Sequence, residues 1–202
     1  MINNIIFDLG NVLLDFKPIE YLRTKFDDEE KIQEIFEEIF LSEEWPMLDR
    51  GVITEEEAIN RICCRSNGNV ELIKLAMCNW YEMFTPIEDT VEVLKRLKDK
   101  GYKIYYLSNF HMQSFENVTQ RYEFFKYFDG GVASYEEKAL KPEEDIYKRL
   151  VERYKIHPEE SIFIDDIAVN IEGAKKLGFE TIHFKSTADL KNLQSLSDDY
   201  PI

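Results

Sequence analysis

The chain has 202 residues, enough for one sizeable hydrophobic core or for a core with a small second domain. Hydrophobic residues make up 44% of it and aromatic residues 13%, which allows a packed interior and argues against disorder. The net charge of −15 argues against non-specific binding to nucleic acids or anionic membranes. It does not exclude an anionic substrate, because a few local cations and a metal reverse the field in one cleft.

The sequence shows no pattern of secretion or membrane insertion. The N-terminus lacks the features of a signal peptide, and no apolar stretch is long enough to cross a bilayer. Cys63, Cys64 and Cys78 lack metal-ligand spacing and are interpreted as reduced thiols. We therefore expect a cytoplasmic protein with no nucleic-acid or membrane partner, and a monomer is the favoured oligomeric state.

The first predicted strand indicates where a site lies. An apolar run at residues 5–7 ends at Asp8, and residues 9–11 separate it from a second apolar run at residues 12–14. An apolar run bounded by a Gly/Asn turn is typical of a buried strand. Open α/β sheets bind ligands at the carboxyl ends of their strands, so Asp8 is a candidate nucleophile or metal ligand.

A helical block follows this strand. Between residues 18 and 84 the periodicity is helical and no strand is convincing. Residues 30–41 have amphipathic spacing, Thr54 and Glu57 have the spacing of a capping box, and residues 70–84 are predicted as a further helix. We interpret residues 17–85 as a helical cap domain inserted beside the site. The alternative is that these helices only cover the sheet.

Helices and strands alternate in the rest of the chain. Strands are predicted at residues 103–107, 128–134, 161–164 and 180–184, and helices at 90–100, 112–122, 143–154 and 170–177. Thr187 is predicted to cap a last short helix, and a fraying tail is predicted from residue 193. With the opening strand, this alternation predicts an α/β fold, a doubly wound (Rossmann-like) parallel sheet of five strands. Residues 1–16 and 86–202 are its predicted core domain.

Polar residues follow these strands at one end. They are Asp8 after the first strand, Ser108 and Asn109 after the second, Lys141 after the third, and Asp165 and Asp166 after the fourth. Because the carboxyl ends of parallel strands meet at one edge of a sheet, we expect these side chains to converge. Crowded carboxylates repel one another unless a cation joins them, and hard oxygen ligands favour Mg²⁺ over zinc.

This set of residues fits phosphoryl transfer. The Ser108 hydroxyl and the Lys141 ammonium are groups that hold phosphoryl oxygens, and the Asp8 carboxylate is a group that attacks phosphorus. Taken singly, each residue has an ordinary alternative. Ser108 and the aspartates are also good helix caps, and Lys141 on its own is typical of a surface lysine.

Four motifs occur in order along nearly the whole chain. They are Phe7-Asp8-Leu9-Gly10-Asn11-Val12, Leu107-Ser108-Asn109, Lys141-Pro142-Glu143, and Phe163-Ile164-Asp165-Asp166 with Asn170. Through them the chain resembles the haloacid dehalogenase (HAD) superfamily, in its phosphatase branch with a helical cap after the first strand. Within that branch it is similar to sugar-phosphate phosphatases of the α-D-glucose-1-phosphate phosphatase kind.

The resemblance implies an activity and its residues. The activity is Mg²⁺-dependent hydrolysis of a small phosphorylated metabolite, a sugar phosphate such as glucose 1-phosphate, through an aspartyl-phosphate. Asp8 is the implied nucleophile, Ser108 and Lys141 are implied to be catalytic, and both bind phosphate together with Asn109.

The resemblance also implies the metal ligands. Mg²⁺ is expected on Asp8, on the Gly10 carbonyl and on Asp166, with Asp165 and Asn170 behind them in a supporting position. Gly10 departs from the family pattern, because most phosphatases of the superfamily carry a second aspartate there as general acid and base. Such help is typically worth about 10²- to 10⁴-fold in rate. We therefore expect slow turnover, another proton-transfer group, or substrates with good leaving groups, such as a sugar 1-phosphate.

Two other functions stay open. Haloacid dehalogenases of the same superfamily also lack the second aspartate, but they need no metal, which would leave Asp165 and Asp166 without a cation. A binding or regulatory protein would keep the fold and lose turnover through Gly10. His111, three residues after Ser108, either reaches the cleft or lies on solvated helix surface, and the second interpretation is favoured. Trp45 is the cap residue expected to face the cleft.

Overall fold

The computed structural model describes residues 1–191 and 193, and its centre is a parallel sheet. The strands are β1 (Asn4–Phe7), β2 (Leu14–Asp15), β3 (Thr85–Pro86), β4 (Lys103–Ser108), β5 (Gly130–Ala133), β6 (Ser161–Asp165) and β7 (Glu180–His183). Five of them form the sheet in the order β5-β4-β1-β6-β7, and all neighbours are parallel. The predicted α/β fold with five parallel strands is confirmed.

In the described part of the chain, five helices lie between β2 and β3 in the sequence, and the other five alternate with the later strands. The helices are α1 (Pro18–Arg23), α2 (Glu29–Phe40), α3 (Glu44–Asp49), α4 (Glu55–Arg65), α5 (Val70–Met77), α6 (Glu88–Asp99), α7 (Met112–Arg121), α8 (Ser134–Glu137), α9 (Glu144–Tyr154) and α10 (Ala168–Lys176). Within the described residues, none of them combines the length and the apolar character needed to cross a membrane.

The helical block α1–α5 starts and ends at one place. Its two flanking strands, β2 and β3, pair with each other in antiparallel fashion, with Leu14 opposite Pro86. The division into a core at 1–16 and 86–202 and a cap at 17–85 stays a prediction, which this pairing supports. The tail predicted from residue 193 lies, apart from Leu193 itself, outside the described residues.

Each face of the sheet carries its own hydrophobic layer, because successive side chains of a strand point to opposite faces. Ile5 and Phe7 belong to one layer, and Ile6 between them belongs to the other. The first layer continues into the helical block through residues such as Ile35 and Trp80. The block therefore shares one continuous hydrophobic layer with that face of the sheet.

Of two local predictions in the helical block, one is confirmed and one is wrong. The predicted capping box is confirmed, because Thr54 Oγ1 accepts from Glu57 N at 3.1 Å and a Glu57 carboxylate oxygen accepts from Thr54 N at 2.8 Å. The single helix predicted over residues 70–84 is wrong. Helix α5 ends at Met77, Asn79 has φ +56°, and a 3₁₀ turn covers Trp80–Met83. Asparagine enters the left-handed region readily, which ends the helix there.

The predicted cap of the last short helix is also wrong. The 3₁₀ turn Thr187–Leu190 has Ser186 at its N-cap position, so Thr187 lies inside the turn. The Asp189 carboxylate accepts from Ser186 N at 2.9 Å, which satisfies an N–H at the start of the turn. The Thr187 hydroxyl lies 3.1 Å from the Thr90 hydroxyl of α6 instead.

One ion pair joins α3 to α4. The Glu44 side chain is only 2% exposed, and Arg65 donates to both of its carboxylate oxygens at 2.6 Å. These hydrogen bonds hold the pKa of Glu44 below its usual range, despite the opposing effect of burial. The carboxylate therefore stays ionised in the folded protein and depends on Arg65.

We expect Arg65→Met to lower the free energy of unfolding by about 1–3 kcal/mol, because it leaves a buried carboxylate without its partner. Urea unfolding measures the effect. Lys95→Met is the matched control, since it breaks the solvent-exposed Lys95–Glu92 pair of α6, and its effect should stay within about 0.5 kcal/mol. Equal losses of unfolding free energy in the two variants would show that the buried Glu44 carboxylate does not depend on Arg65.

Candidate active site

Asp8 lies at the carboxyl end of the central strand and is held in one orientation. Its backbone N–H donates to the Ile164 carbonyl of β6 at 2.8 Å, which extends the ladder by one residue. Its Oδ1 accepts from Leu9 N at 2.7 Å and from Ser108 Oγ at 2.7 Å, and it lies 2.8 Å from Lys141 Nζ. A carboxylate so constrained is suited to attack along one direction.

Lys141 is buried between two carboxylates. Its Nζ lies 2.8 Å from Asp8 Oδ1 and 2.7 Å from Asp165 Oδ2. Asp165 is in turn saturated by protein donors, since Ile167 N reaches its Oδ1 at 2.8 Å and Asn170 Nδ2 reaches both of its oxygens at 3.1 Å. Burial disfavours the ammonium, but Asp165 and Asp8 outweigh it and raise the pKa of Lys141. Lys141 therefore carries its charge into the site.

The Asn109 side chain, predicted to bind phosphate, forms hydrogen bonds to the backbone of Lys141. Its Oδ1 accepts from Lys141 N at 2.8 Å, and its Nδ2 donates to the Lys141 carbonyl at 3.1 Å. Both ends of the side-chain amide are thus used to position the backbone of Lys141. A direct contact of Asn109 with phosphate stays a prediction.

Three carboxylates meet at this edge of the sheet. Asp8, Asp165 and Asp166 each offer an oxygen, and these oxygens lie within 4.8 Å of one another. Burial raises the pKa of Asp8 to about 7, with Lys141 opposing and Asp165 reinforcing the shift, and burial together with Asp165 raises the pKa of Asp166. A divalent cation would favour the ionised forms, and an all-oxygen donor set fits Mg²⁺.

The predicted site residues line one cavity of about 190 Å³. Its polar floor is formed by Asp8, Gly10, Ser108, Asn109, Lys141, Asp166 and Asn170. Its aromatic wall is formed by Phe16, Trp45, Trp80, Phe84 and Phe110. The expectation that Trp45 faces the cleft is confirmed. Only Asp165 is absent from the lining, because Lys141 and Asn170 cover it.

The interpretation of His111 as solvated surface is wrong. The residue is 4% exposed, and its ring centroid lies 4.4 Å from that of Trp45 and 4.9 Å from that of Trp80. Its Nε2 lies 3.1 Å from Asp49 Oδ1 of α3, and both residues line the cavity. His111 is at the N-cap position of α7, and helical periodicity says nothing of partners that another segment supplies. The available signal was its place two residues after the Ser108-Asn109 motif, which had made a position at the cleft the alternative interpretation.

Gly10 leaves open space on the floor of the cavity. A Cβ atom built there would meet no heavy atom within 4 Å, and the backbone of Gly10 is not in the left-handed region. The glycine is therefore not required by sterics. The position where most family phosphatases carry their second aspartate can hold a side chain in this protein.

We expect Gly10→Ala to change the free energy of unfolding by no more than about 0.5 kcal/mol. The matched variant is Gly131→Ala, because a Cβ there would lie 2.4 Å from the Tyr106 ring. Overpacking of this kind costs about 1–3 kcal/mol. Urea unfolding of both variants tests the difference, and a large loss in Gly10→Ala would show that its space is not open.

Comparison with known proteins gives the family. The model of the haloacid dehalogenase-like hydrolases matches residues 2–178. D-ribitol-5-phosphate phosphatase of Bacteroides thetaiotaomicron is 27% identical over 202 residues, covering 94% of this chain and 95% of the relative. Sesquiterpene phosphatase astK of Aspergillus oryzae is 24% identical over 178 residues, covering 88% of this chain and 87% of the relative.

The structural comparison agrees with the sequence. A crystal structure of a HAD family enzyme from Bacteroides thetaiotaomicron, in complex with magnesium and inorganic phosphate, superimposes with a TM-score of 0.73 at 28% identity. The match covers 96% of this chain and 99% of that chain. The resemblance to the HAD superfamily is thereby confirmed, whereas the similarity to glucose-1-phosphate phosphatases stays a prediction. The chain belongs to the haloacid dehalogenase-like hydrolase family.

Proposed function

We propose that this hydrolase is a Mg²⁺-dependent phosphatase of small phosphorylated metabolites. The observation that carries the proposal is the contact of the Asp8 carboxylate with Ser108 and Lys141 in a cavity that Asp166 also lines. Nucleophile, phosphate-binding cation and metal-binding carboxylate are the groups that phosphoryl transfer to an aspartate needs. Two relatives named as phosphatases support the proposal.

Asp8 is the proposed nucleophile. Its carboxylate attacks phosphorus, the bond to the leaving oxygen breaks, and an aspartyl-phosphate forms, which water then hydrolyses to phosphate and free Asp8. Ser108 and Lys141, which both contact Asp8 Oδ1, are placed to bind the phosphoryl oxygens as charge redistributes. Asn109 keeps the Lys141 backbone in place for this contact.

Asp8, the Gly10 carbonyl and Asp166 are the proposed ligands of Mg²⁺. When bound, the ion neutralises charge between the carboxylates and the phosphoryl group. Asp166 is better suited than Asp165, because protein donors already occupy both oxygens of Asp165. Asp165, held by Asn170, instead keeps Lys141 and the backbone at Ile167, next to Asp166, in position.

We propose residues 1–16 and 86–202 as the catalytic core and residues 17–85 as a cap that selects the substrate. Trp45 and Trp80 of the cap line the same cavity as the polar groups of the core. A cavity of about 190 Å³ fits a small molecule, and aromatic side chains beside polar groups suit a sugar or polyol phosphate. Glucose 1-phosphate and ribitol 5-phosphate, the substrate in one relative's name, are the first to assay.

We expect p-nitrophenyl phosphate to be hydrolysed with Mg²⁺, and hydrolysis to stop with EDTA or with Asp8→Asn. Asp99→Asn, which changes an exposed aspartate at the end of α6, is the matched control and should keep full activity. Phosphate release is the measurement. Chloride release from 2-chloropropionate that EDTA leaves unchanged would instead identify a dehalogenase. No turnover on any phosphate ester would favour a binding or regulatory protein.

A panel of phosphorylated sugars and polyols tests the substrate class. We expect a higher kcat/KM for these than for isoprenyl phosphates, whose chains offer nothing to Asp49, His111 or Ser114 on the cavity wall. Trp45→Ala should raise KM for the preferred sugar phosphate, since it removes one of the aromatic side chains that line the cavity. The opposite ranking would show that the aromatic wall selects apolar groups.

A further inference from the structure

His111 is buried without a proper hydrogen bond. Both ring nitrogens are shielded from solvent, and neither has a hydrogen-bond partner among the described residues. Nε2 approaches Asp49 Oδ1 to 3.1 Å, but the contact is not aligned as a hydrogen bond. A buried polar group left in this state typically costs about 1–3 kcal/mol. Because His111 also lines the cavity that contains Asp8 and Lys141, a substrate bound there is a candidate partner for its ring.

The position of His111 relative to Asp8 is set by the end of β4. Ser108 Oγ bonds Asp8 Oδ1 at 2.7 Å, and His111 follows three residues later. Its Cα is therefore at most about 11 Å from that of Ser108, since consecutive Cα atoms are about 3.8 Å apart. In phosphoryl transfer the leaving oxygen departs opposite the attacking one. His111 lines the same cavity as Asp8, so the leaving oxygen of a phosphoryl group attacked by Asp8 departs into the cavity that His111 borders.

The surroundings of His111 suit proton transfer. Asp49 is the charged group of the cap that faces its ring, and Trp45 and Trp80 pack against the ring. A carboxylate in this place orients an imidazole and stabilises the positive charge that develops when it takes a proton. Lys141 also lines this cavity, and its ammonium is bound to Asp8 and Asp165.

Asp49 is itself fixed to the core beneath it. Its carbonyl accepts from Ser134 Oγ at 2.5 Å, and the same oxygen atom of Ser134 accepts from Phe110 N at 2.9 Å. The residue before His111 and the residue that faces it are therefore joined through one hydroxyl. These hydrogen bonds fix the backbones on both sides of the His111–Asp49 pair, which joins α3 to the start of α7.

We propose that His111, positioned by Asp49, is the acid–base group that replaces the aspartate missing at Gly10. Protonated His111 gives its proton to the leaving oxygen while the Asp8–phosphorus bond forms and the phosphorus–oxygen bond breaks. Neutral His111 then takes a proton from the water that attacks phosphorus, and the Asp8–phosphorus bond breaks to release phosphate. Protons balance over the cycle, and the inference rests on the proposed phosphatase function.

The test compares two esters in the first turnover. An alkyl phosphate such as ribitol 5-phosphate needs a proton on its leaving oxygen, whereas p-nitrophenolate leaves without one. We expect His111→Asn to slow phosphoenzyme formation from the alkyl phosphate by about 10²- to 10⁴-fold, and to change it from p-nitrophenyl phosphate by less than about 10-fold. Rapid-quench measurement of the first turnover separates this step from hydrolysis of the intermediate.

Two further variants keep the test decisive if His111→Asn folds poorly. Asp49→Asn keeps the shape and the Asp49 carbonyl that Ser134 bonds, and it should show the same leaving-group dependence to a smaller degree. Gly10→Asp combined with His111→Asn should recover alkyl-phosphate turnover, because the position has room for a side chain. His157→Asn, which changes an exposed histidine, is the matched control and should have no effect.

The outcomes separate the two proposals. Equal losses on both esters, or a change in KM with kcat unaltered, would assign His111 to structure or to substrate binding and overturn the acid–base role alone. So would unchanged alkyl-phosphate turnover in His111→Asn and in Asp49→Asn. A wild-type protein that hydrolyses neither ester would overturn the proposed function and this inference with it.

Discussion

The site depends on a buried array of charges in which Lys141 lies between Asp8 and Asp165. Each of these groups loses its hydration on folding, and only mutual pairing and added hydrogen bonds compensate for that loss. The sheet order supplies both, because β1 lies between β4, which carries Ser108, and β6, which carries Asp165. The order of the strands is thus a condition for the chemistry as well as for the core.

The helical block is tied to the segment that carries Lys141. Arg50, which follows α3, pairs with Glu143, and Glu143 follows Lys141 by two residues. The neighbouring Gly51 carbonyl accepts from Lys138, and a Cβ at Gly51 would lie 2.6 Å from the Tyr135 carbonyl. This close approach needs glycine in the left-handed region, and its φ is +64°. Contacts across the cleft therefore position both sides of the site together.

Much of the fold and the convergence of the site followed from local rules. Asp8, Ser108 and Lys141 were predicted to meet because parallel strands share one carboxyl edge, and no side-chain detail was needed for that. This rule could not predict the hydrogen-bond partner of Asn109, because a side-chain amide can bond to a phosphate or to a backbone group equally well. The burial of His111 could not be predicted for another reason. Its environment comes from α3 and from Trp80, and periodicity in one segment carries no information about what a distant segment packs against it.

Because the net charge is −15, binding of an anionic substrate depends on the positive charge available in the site. Lys141 is already neutralised by two carboxylates, so a phosphate dianion entering beside Asp8 and Asp166 meets a floor of negative charge. Attraction then has to come from a divalent ion, because Coulomb repulsion is strong in a site shielded from water. The same excess of acidic groups explains why a proton donor in the same cavity is useful. A leaving alkoxide would otherwise face the carboxylates of its own enzyme, and a proton from the His111 side removes that charge as it forms.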